Sequence, residues 1–251
     1  MSKKHLFLFI LFINTVAFCQ VVNIESIRNH SDSSRFLGSA KLDFDLTKNV
    51  NTFFDLTNDI TLQYTSGKHL FLFLNSIVFT EGNTDTFTDK SVQHFRYNYR
   101  LKPRLTFEAF TQLQKDNVSF INFRALVGLG SRFQLFHSKK NKFFLGTLIM
   151  YEHENSVGGS GDVIDKTTRG NIYFSFNLNL NKNIALSSTT YYQPKLNQLS
   201  DFRVSSETSF SFTFFKKLAL VTSFTYQLDQ FPVLGIPNSQ YKLENGIQYT
   251  F

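Results

Sequence analysis

The sequence has one cysteine, four prolines, twelve glycines and no tryptophan in 251 residues. With Cys19 the sole thiol, an internal disulfide is impossible and cysteine catalysis is excluded. Beyond residue 20 no apolar run reaches the ~18 residues of a spanning helix, which excludes a helical membrane protein. No five consecutive residues are basic, so the chain offers no footprint for nucleic acid. A Gly-x-Ser-x-Gly elbow is also missing.

What is present is aromatic. The chain carries 31 Phe and 10 Tyr, yet its mean hydropathy is −0.16. Many Phe without a long apolar run is the product of alternation, in which each apolar residue has a polar neighbour. Along a strand, alternate residues point to opposite faces. Phe36, Gly38, Ala40, Leu42, Phe44 and Leu46 then share one face, against Leu37, Ser39, Lys41, Asp43, Asp45 and Thr47. Phe54, Leu56, Ile60, Leu62 and Tyr64 oppose Asp55, Thr57, Asp59, Thr61 and Gln63. Phe95, Tyr97, Tyr99 and Leu101 oppose His94, Arg96, Asn98 and Arg100. The segment 68–80 is apolar on both faces, and its orientation stays open.

Such segments predict about 12 strands, at roughly 35–48, 51–65, 68–80, 91–101, 104–114, 122–136, 142–154, 170–181, 183–193, 201–214, 217–228 and 240–251. Each is long enough to cross a bilayer as a tilted strand of ~9–11 residues. Ser66-Gly67, Lys102-Pro103, Asn181-Lys182 and Phe215-Lys216-Lys217 read as tight turns, with 137–141 somewhat longer. The segments 81–90, 115–121, 155–169, 194–200 and 229–239 read as longer loops. Short and long connections alternate after the first hairpin, the pattern of an outer-membrane barrel with short periplasmic turns. The expected fold is all-β: a closed antiparallel up-and-down transmembrane barrel of about 12 strands over residues 35–251.

The N-terminus agrees. Lys3 and Lys4 precede an apolar stretch from Leu6 to Phe18 of signal-peptide length, and Ala17-Phe18-Cys19 has the look of a cleavage site. Residues 1–19 are expected to be a cleaved signal peptide and 20–34 a short periplasmic lead-in. A lipidated Cys19 is the rival reading, disfavoured by bulky Phe18. The chain carries +7, and removing the leader takes two lysines and no acid, leaving +5. A soluble lipocalin-like barrel, with the apolar face inward, is the alternative that alternation alone does not exclude.

The last residues, Glu244-Asn-Gly-Ile-Gln-Tyr-Thr-Phe251, resemble the terminal strand signal of bacterial outer-membrane barrels. The resemblance implies that Gly246, Tyr249 and Phe251 form an assembly signal read by the barrel assembly machinery. Three further stretches resemble the salt-induced outer-membrane proteins, a family defined as a domain of unknown function. They are Gln93-His-Phe-Arg-Tyr-Asn-Tyr-Arg-Leu101, Arg104 to Gln112 with Phe123 to Gly130, and Tyr191-Tyr-Gln-Pro194 with Asp201-Phe-Arg203. That family implies an outer-membrane location and no established activity.

The inward face is expected to be charged. Candidate lumen residues are Asp43, Asp45, Asp55, Asp59, His94, Arg96, Arg100, Glu108, Arg124, Arg132, Glu152, Arg203 and Glu207, with Lys41, Glu154, Lys242 and Glu244 beside them. Charges of opposite sign on neighbouring strands brace a wall, and unpaired ones line a selectivity path. Twelve strands fall between barrels filled by side chains and those with an aqueous channel. Three readings of function follow: a passive channel or small-solute binding barrel, a structural or envelope-stress barrel with a blocked lumen, and an outer-membrane hydrolase. The first is preferred, with no catalytic residue, cofactor or metal assigned. Glu152-His153-Glu154 is no local metal site, because His153 points away from both acids. An Asp/His set built from Asp43, Asp45, Asp55, Asp59 and His94 is what a hydrolase would need. Gly158-Gly-Ser-Gly161 lacks the following helix of a phosphate cradle and reads as an outer loop. Outer-membrane lipid and the assembly machinery are the expected partners, and the +5 charge hints at anion preference in a narrow pore.

Overall fold

The structure, a computed structural model, describes residues 35–48, 52–82, 88–117, 119–138, 140–158, 161–232 and 236–251. The expected leader and lead-in lie outside the described residues. Twelve strands run in chain order: β1 (Arg35–Lys48), β2 (Thr52–Ser66), β3 (His69–Gly82), β4 (Thr88–Lys102), β5 (Leu105–Asp116), β6 (Ile121–His137), β7 (Asn141–Gly158), β8 (Gly161–Asn179), β9 (Ile184–Lys195), β10 (Gln198–Phe215), β11 (Leu218–Asp229) and β12 (Ser239–Thr250). Each pairs antiparallel with its sequence neighbours, and β1 pairs with β12 to close the barrel. Closure gives every strand a neighbour on both sides, as a hydrocarbon surrounding requires, with the β1–β12 ladder confined to Ser39–Asp43.

Alternation decides which face is which. Phe36, Phe44, Tyr64, Phe79, Phe95, Leu129, Phe174, Leu220 and Ile247 are exposed. Their strand neighbours Ser39, Asp43, Gln63, His94, Glu108, Arg132, Asn171 and Glu244 are buried. The apolar face is therefore the outside, which excludes the lipocalin arrangement. Outer rings touch along the belt, with centroids 5.9 Å apart for Phe136–Phe143 and 6.0 Å for Phe143–Phe176. A 12-residue strand such as β5 is roughly 40 Å long. Tilted, it crosses a hydrocarbon core of about 30 Å.

The ambiguous segment settles with Leu70, Leu72, Leu74 and Val78 inward and Phe71, Phe73 and Phe79 outward. The bulky rings take the outside, and the leucines pack with Val92 inside. Of the expected long loops, 155–169 and 194–200 are instead mostly strand, and 115–121 is shortened from both ends. β5 reaches Asp116 and β6 starts at Ile121, β7 and β8 stay paired up to Gly158 opposite Gly161, and β9 and β10 are separated by two residues. For 155–169 the reason lies in its β-branched residues: Val157, Val163, Ile164, Thr167 and Thr168 suit a strand. The glycine cluster is thus the tip of a long hairpin, with Gly161 at φ 127°, a conformation open to glycine.

The ends of the barrel differ. Connections at Ser66–His69, Lys102–Leu105, His137–Asn141, Asn179–Ile184 and Phe215–Leu218 lie at one end, with Arg35 and Phe251. This is the turn end, and the other is the loop end. The β11–β12 connection, residues 230–238, is a long one at the loop end.

Candidate functional site: the barrel lumen

Inward side chains divide the lumen into two unlike halves. On β3 to β8 they are large. Phe110, Leu126, Leu148, Met150, Tyr173 and Tyr191 (the last on β9) form a buried apolar cluster. Two rings lie flat because the facing strand has glycine. A Cβ on Gly146 would stand 2.0 Å from the Tyr173 ring, and one on Gly128 would stand 2.4 Å from Phe110. Lying so, Tyr173 on β8 donates from its hydroxyl to Glu108 on β5 at 2.5 Å. Glu108 also accepts from Arg96 at 3.3 Å. Arg132 lies over the Phe144 ring, 3.6 Å from its centroid.

Towards the loop end the same half holds an ion cluster. Glu152 accepts from Arg124 Nε at 3.0 Å, Arg169 Nε at 2.8 Å and Arg203 Nη1 at 2.5 Å. Glu154 lies 3.3 Å from Arg124 and 3.2 Å from Arg203. Arg203 further donates to Asp229 at 2.7 Å, and Arg169 to Asp201 at 3.1 Å. Arg203 on β10 reaches Glu152 on β7 past two intervening strands, so its side chain crosses the lumen as a chord. Each charge has a partner of opposite sign, the condition under which burial of ions is tolerated.

On β9 to β12, β1 and β2 the inward residues include many small Ser, Thr and Ala side chains, and with Leu74 and Ser76 of β3 and Asn177 of β8 they border open space. They leave a cavity of about 240 Å³. Its wall runs from Thr213, Ala219 and Thr250 beside the turn end to Lys41, Thr225 and Glu244 further in. A second cavity of about 80 Å³ lies towards the loop end, lined by Arg124, Glu154, Arg203 and Asp229 and by Phe231, Pro232 and Ile236 of the β11–β12 connection. The two occupy consecutive inward positions: Ser205 then Glu207 on β10, Gln227 then Thr225 on β11. Lys41 stands 2.9 Å from Asp43 and 3.3 Å from Asp59, and Lys242 pairs with Glu244.

The candidate residues distribute as follows. Arg96, Glu108, Arg124, Arg132 and Glu152 are buried in the crowded half, and Arg203 spans it. Arg100 lies at the turn end, donating to the Gly67 carbonyl at 3.2 Å. Asp43, Asp59 and Glu207 belong to the open half, and Asp55 sits half-buried near its loop end. The side chain of Asp45 lies outside the described residues. The Asp/His set is not brought together: His94 Nδ1 is 3.0 Å from Gln112, and Nε2 accepts from Arg96 at 3.2 Å. His153 is on the outer face near Phe123. Among the described residues no three His, Cys, Asp or Glu side chains converge as for a metal ion. Sequence reasoning missed Arg169, Asp201 with Lys195, Tyr173 and the buried Lys90–Asp116 pair at 2.8 Å. Arg169, Lys90 and Asp116 were assigned to loops. Asp165-Lys166-Thr167-Thr168-Arg169 is polar throughout, so no alternation marks Arg169 as inward.

At the seam, the Gly38 and Phe251 backbones exchange hydrogen bonds of 3.0 and 2.8 Å. The Phe251 ring covers Gly38, where a Cβ would stand 2.2 Å from it. Gly246 leaves room for Asp43 Oδ1, 2.2 Å from a Cβ built there. Tyr249 stacks on Phe251 with centroids 6.1 Å apart.

The model of a family of unknown function, DUF481, matches residues 49–251. The chain belongs to this family. No curated protein matches it in sequence. Among solved structures it is similar to an outer membrane channel from Pseudomonas putida F1, with TM-score 0.52, 11% identity, and coverage of 92% of this chain and 100% of that one. The NanC porin gives 0.48 at 11% identity, covering 85% and 97%. The translocator domain of the autotransporter NalP from Neisseria meningitidis gives 0.49 at 9%, covering 90% and 91%. This family member has the closed antiparallel barrel fold of outer-membrane proteins.

Proposed function

We propose that this chain is an outer-membrane barrel, its turn end in the periplasm, that passes or holds small polar solutes along the hydroxyl-lined half of its lumen. The observation that carries the reading is the stacking of two cavities on β10 and β11, one at each end and one inward position apart. Ser and Thr hydroxyls both donate and accept, so they replace water around a moving polar solute without trapping it. The fold likeness to an outer membrane channel adds support. Lipid surrounds the Phe belt, and the assembly machinery recognises Gly246, Tyr249 and Phe251.

The charge of the path differs from that of the chain. The larger cavity has Asp59, Glu207 and Glu244 against Lys41, and the smaller has two cations against two acids. The path therefore favours cations, although the whole chain is +7. Of the lysines only Lys41 lines the larger cavity, and none lines the smaller. Refolded protein in a planar bilayer under a salt gradient tests both points: conductance with a reversal potential of cation sign is expected, and a silent bilayer would remove the channel reading. A blocked structural barrel is the second reading, favoured by the Arg203–Glu152 chord.

A further inference from the structure

The charges between the two cavities do not balance. Lys41 is held by Asp43 and Asp59, and Lys242 by Glu244. Glu207 accepts from the Ser209 hydroxyl at 3.2 Å and, among the described residues, has no cation at salt-bridge distance. It lines the larger cavity, and its inward neighbour Ser205 lines the smaller, so a solute moving between them passes its carboxylate. Two lysines against four carboxylates leave this level of the lumen net negative. Water-poor walls make such an imbalance act strongly on whatever enters.

We infer that the open half-lumen is a binding site for a small organic cation that also carries hydroxyls, with Glu207 as its charge partner and residue of specificity. This rests on the solute-binding or channel reading above and names the class of solute. The ammonium group sits against Glu207, and the solute's hydroxyls meet Ser209, Ser223 and Thr225 on the same wall. A cavity of about 240 Å³ lies just below the usual ~300–1,000 Å³ of ligand pockets, which sets the solute at monosaccharide size. A neutral polyol of that size makes the hydroxyl contacts only. An organic anion meets the excess of carboxylates at this level and is rejected.

Titration calorimetry on the purified, refolded barrel tests this with glucosamine, glucose and gluconate. Glucosamine is expected to bind at least about tenfold more tightly than the other two, a difference of ~1.4 kcal/mol. Glu207→Gln should erase that preference with an unchanged circular-dichroism spectrum, and Glu207→Asp should retain part of it. Equal binding of the three, binding of none, or a preference that survives in Glu207→Gln overturns the inference. Conductance in potassium chloride separates it from the channel reading. A silent barrel that prefers glucosamine keeps the binding site and loses the passage. A conducting barrel indifferent to glucosamine keeps the passage and loses the site.

Discussion

The two halves of one barrel wall use the same strand alternation for opposite ends. On β3 to β8 the inward positions carry Leu, Met, Phe, Tyr, Arg and Glu, and the lumen beside them is filled and tied across by Tyr173–Glu108 and Arg203–Glu152. On β9 to β12, β1 and β2 many are small Ser, Thr and Ala, and space remains. Inward polarity alone therefore does not make a path. Side-chain size leaves the space, and a barrel of intermediate strand number can be filled along one side and hollow along the other. The strand pairing is shortest at the closing seam: β7 and β8 pair along their whole length, as do β1 and β2, while β1 meets β12 only over Ser39–Asp43.

The largest effect is expected at that short seam. Deleting Phe251 removes the strand end that bonds to Gly38, and folded barrel in the outer membrane should fall to a small fraction of wild type. Quantitative blotting of membrane fractions checks it, and normal levels would remove Phe251 from assembly. Next comes the crowded half. Glu152→Ala leaves Arg124, Arg169 and Arg203 without their shared acceptor and should cost ~3–5 kcal/mol in urea unfolding of refolded barrel. Gly146→Ala pushes the Tyr173 ring off its seat and should cost about 1–3 kcal/mol, with the Glu108 hydrogen bond lost. In the open half Ser209→Ala removes a hydroxyl bonded to Glu207 and Ser223. It should cost no more than about 1 kcal/mol. Losses of equal size from Ser209→Ala and Glu152→Ala would erase the distinction between the halves.

Much of this was legible from the chain. Period-2 patterning places Phe36 and Phe44 outside and Asp43 inside because lipid and water sort side chains by polarity alone, with no need for tertiary detail. The fates of Lys90, Asp116 and Arg169 were not legible, because a strand continuing past the bilayer keeps a polar composition that looks like loop. Residue 71 against residue 72 was undecided because both faces of β3 are apolar, and ring size rather than polarity chose. The split of the lumen depends on which strands become neighbours across the barrel. Arg203 and Glu152 are 51 residues apart, and no local pattern joins them.

Thiol accessibility measures the difference between the halves most directly. In a Cys19→Ser background, Ser211→Cys places a thiol in the open half and Leu72→Cys, fully buried in the wild-type chain, places one in the crowded half. A charged, membrane-impermeant methanethiosulfonate should modify Ser211→Cys quickly and reduce its current, while Leu72→Cys reacts slowly and conducts as before. Equal rates at the two positions, or modification of Ser211→Cys with no change in current, would contradict a path confined to the hydroxyl-lined half.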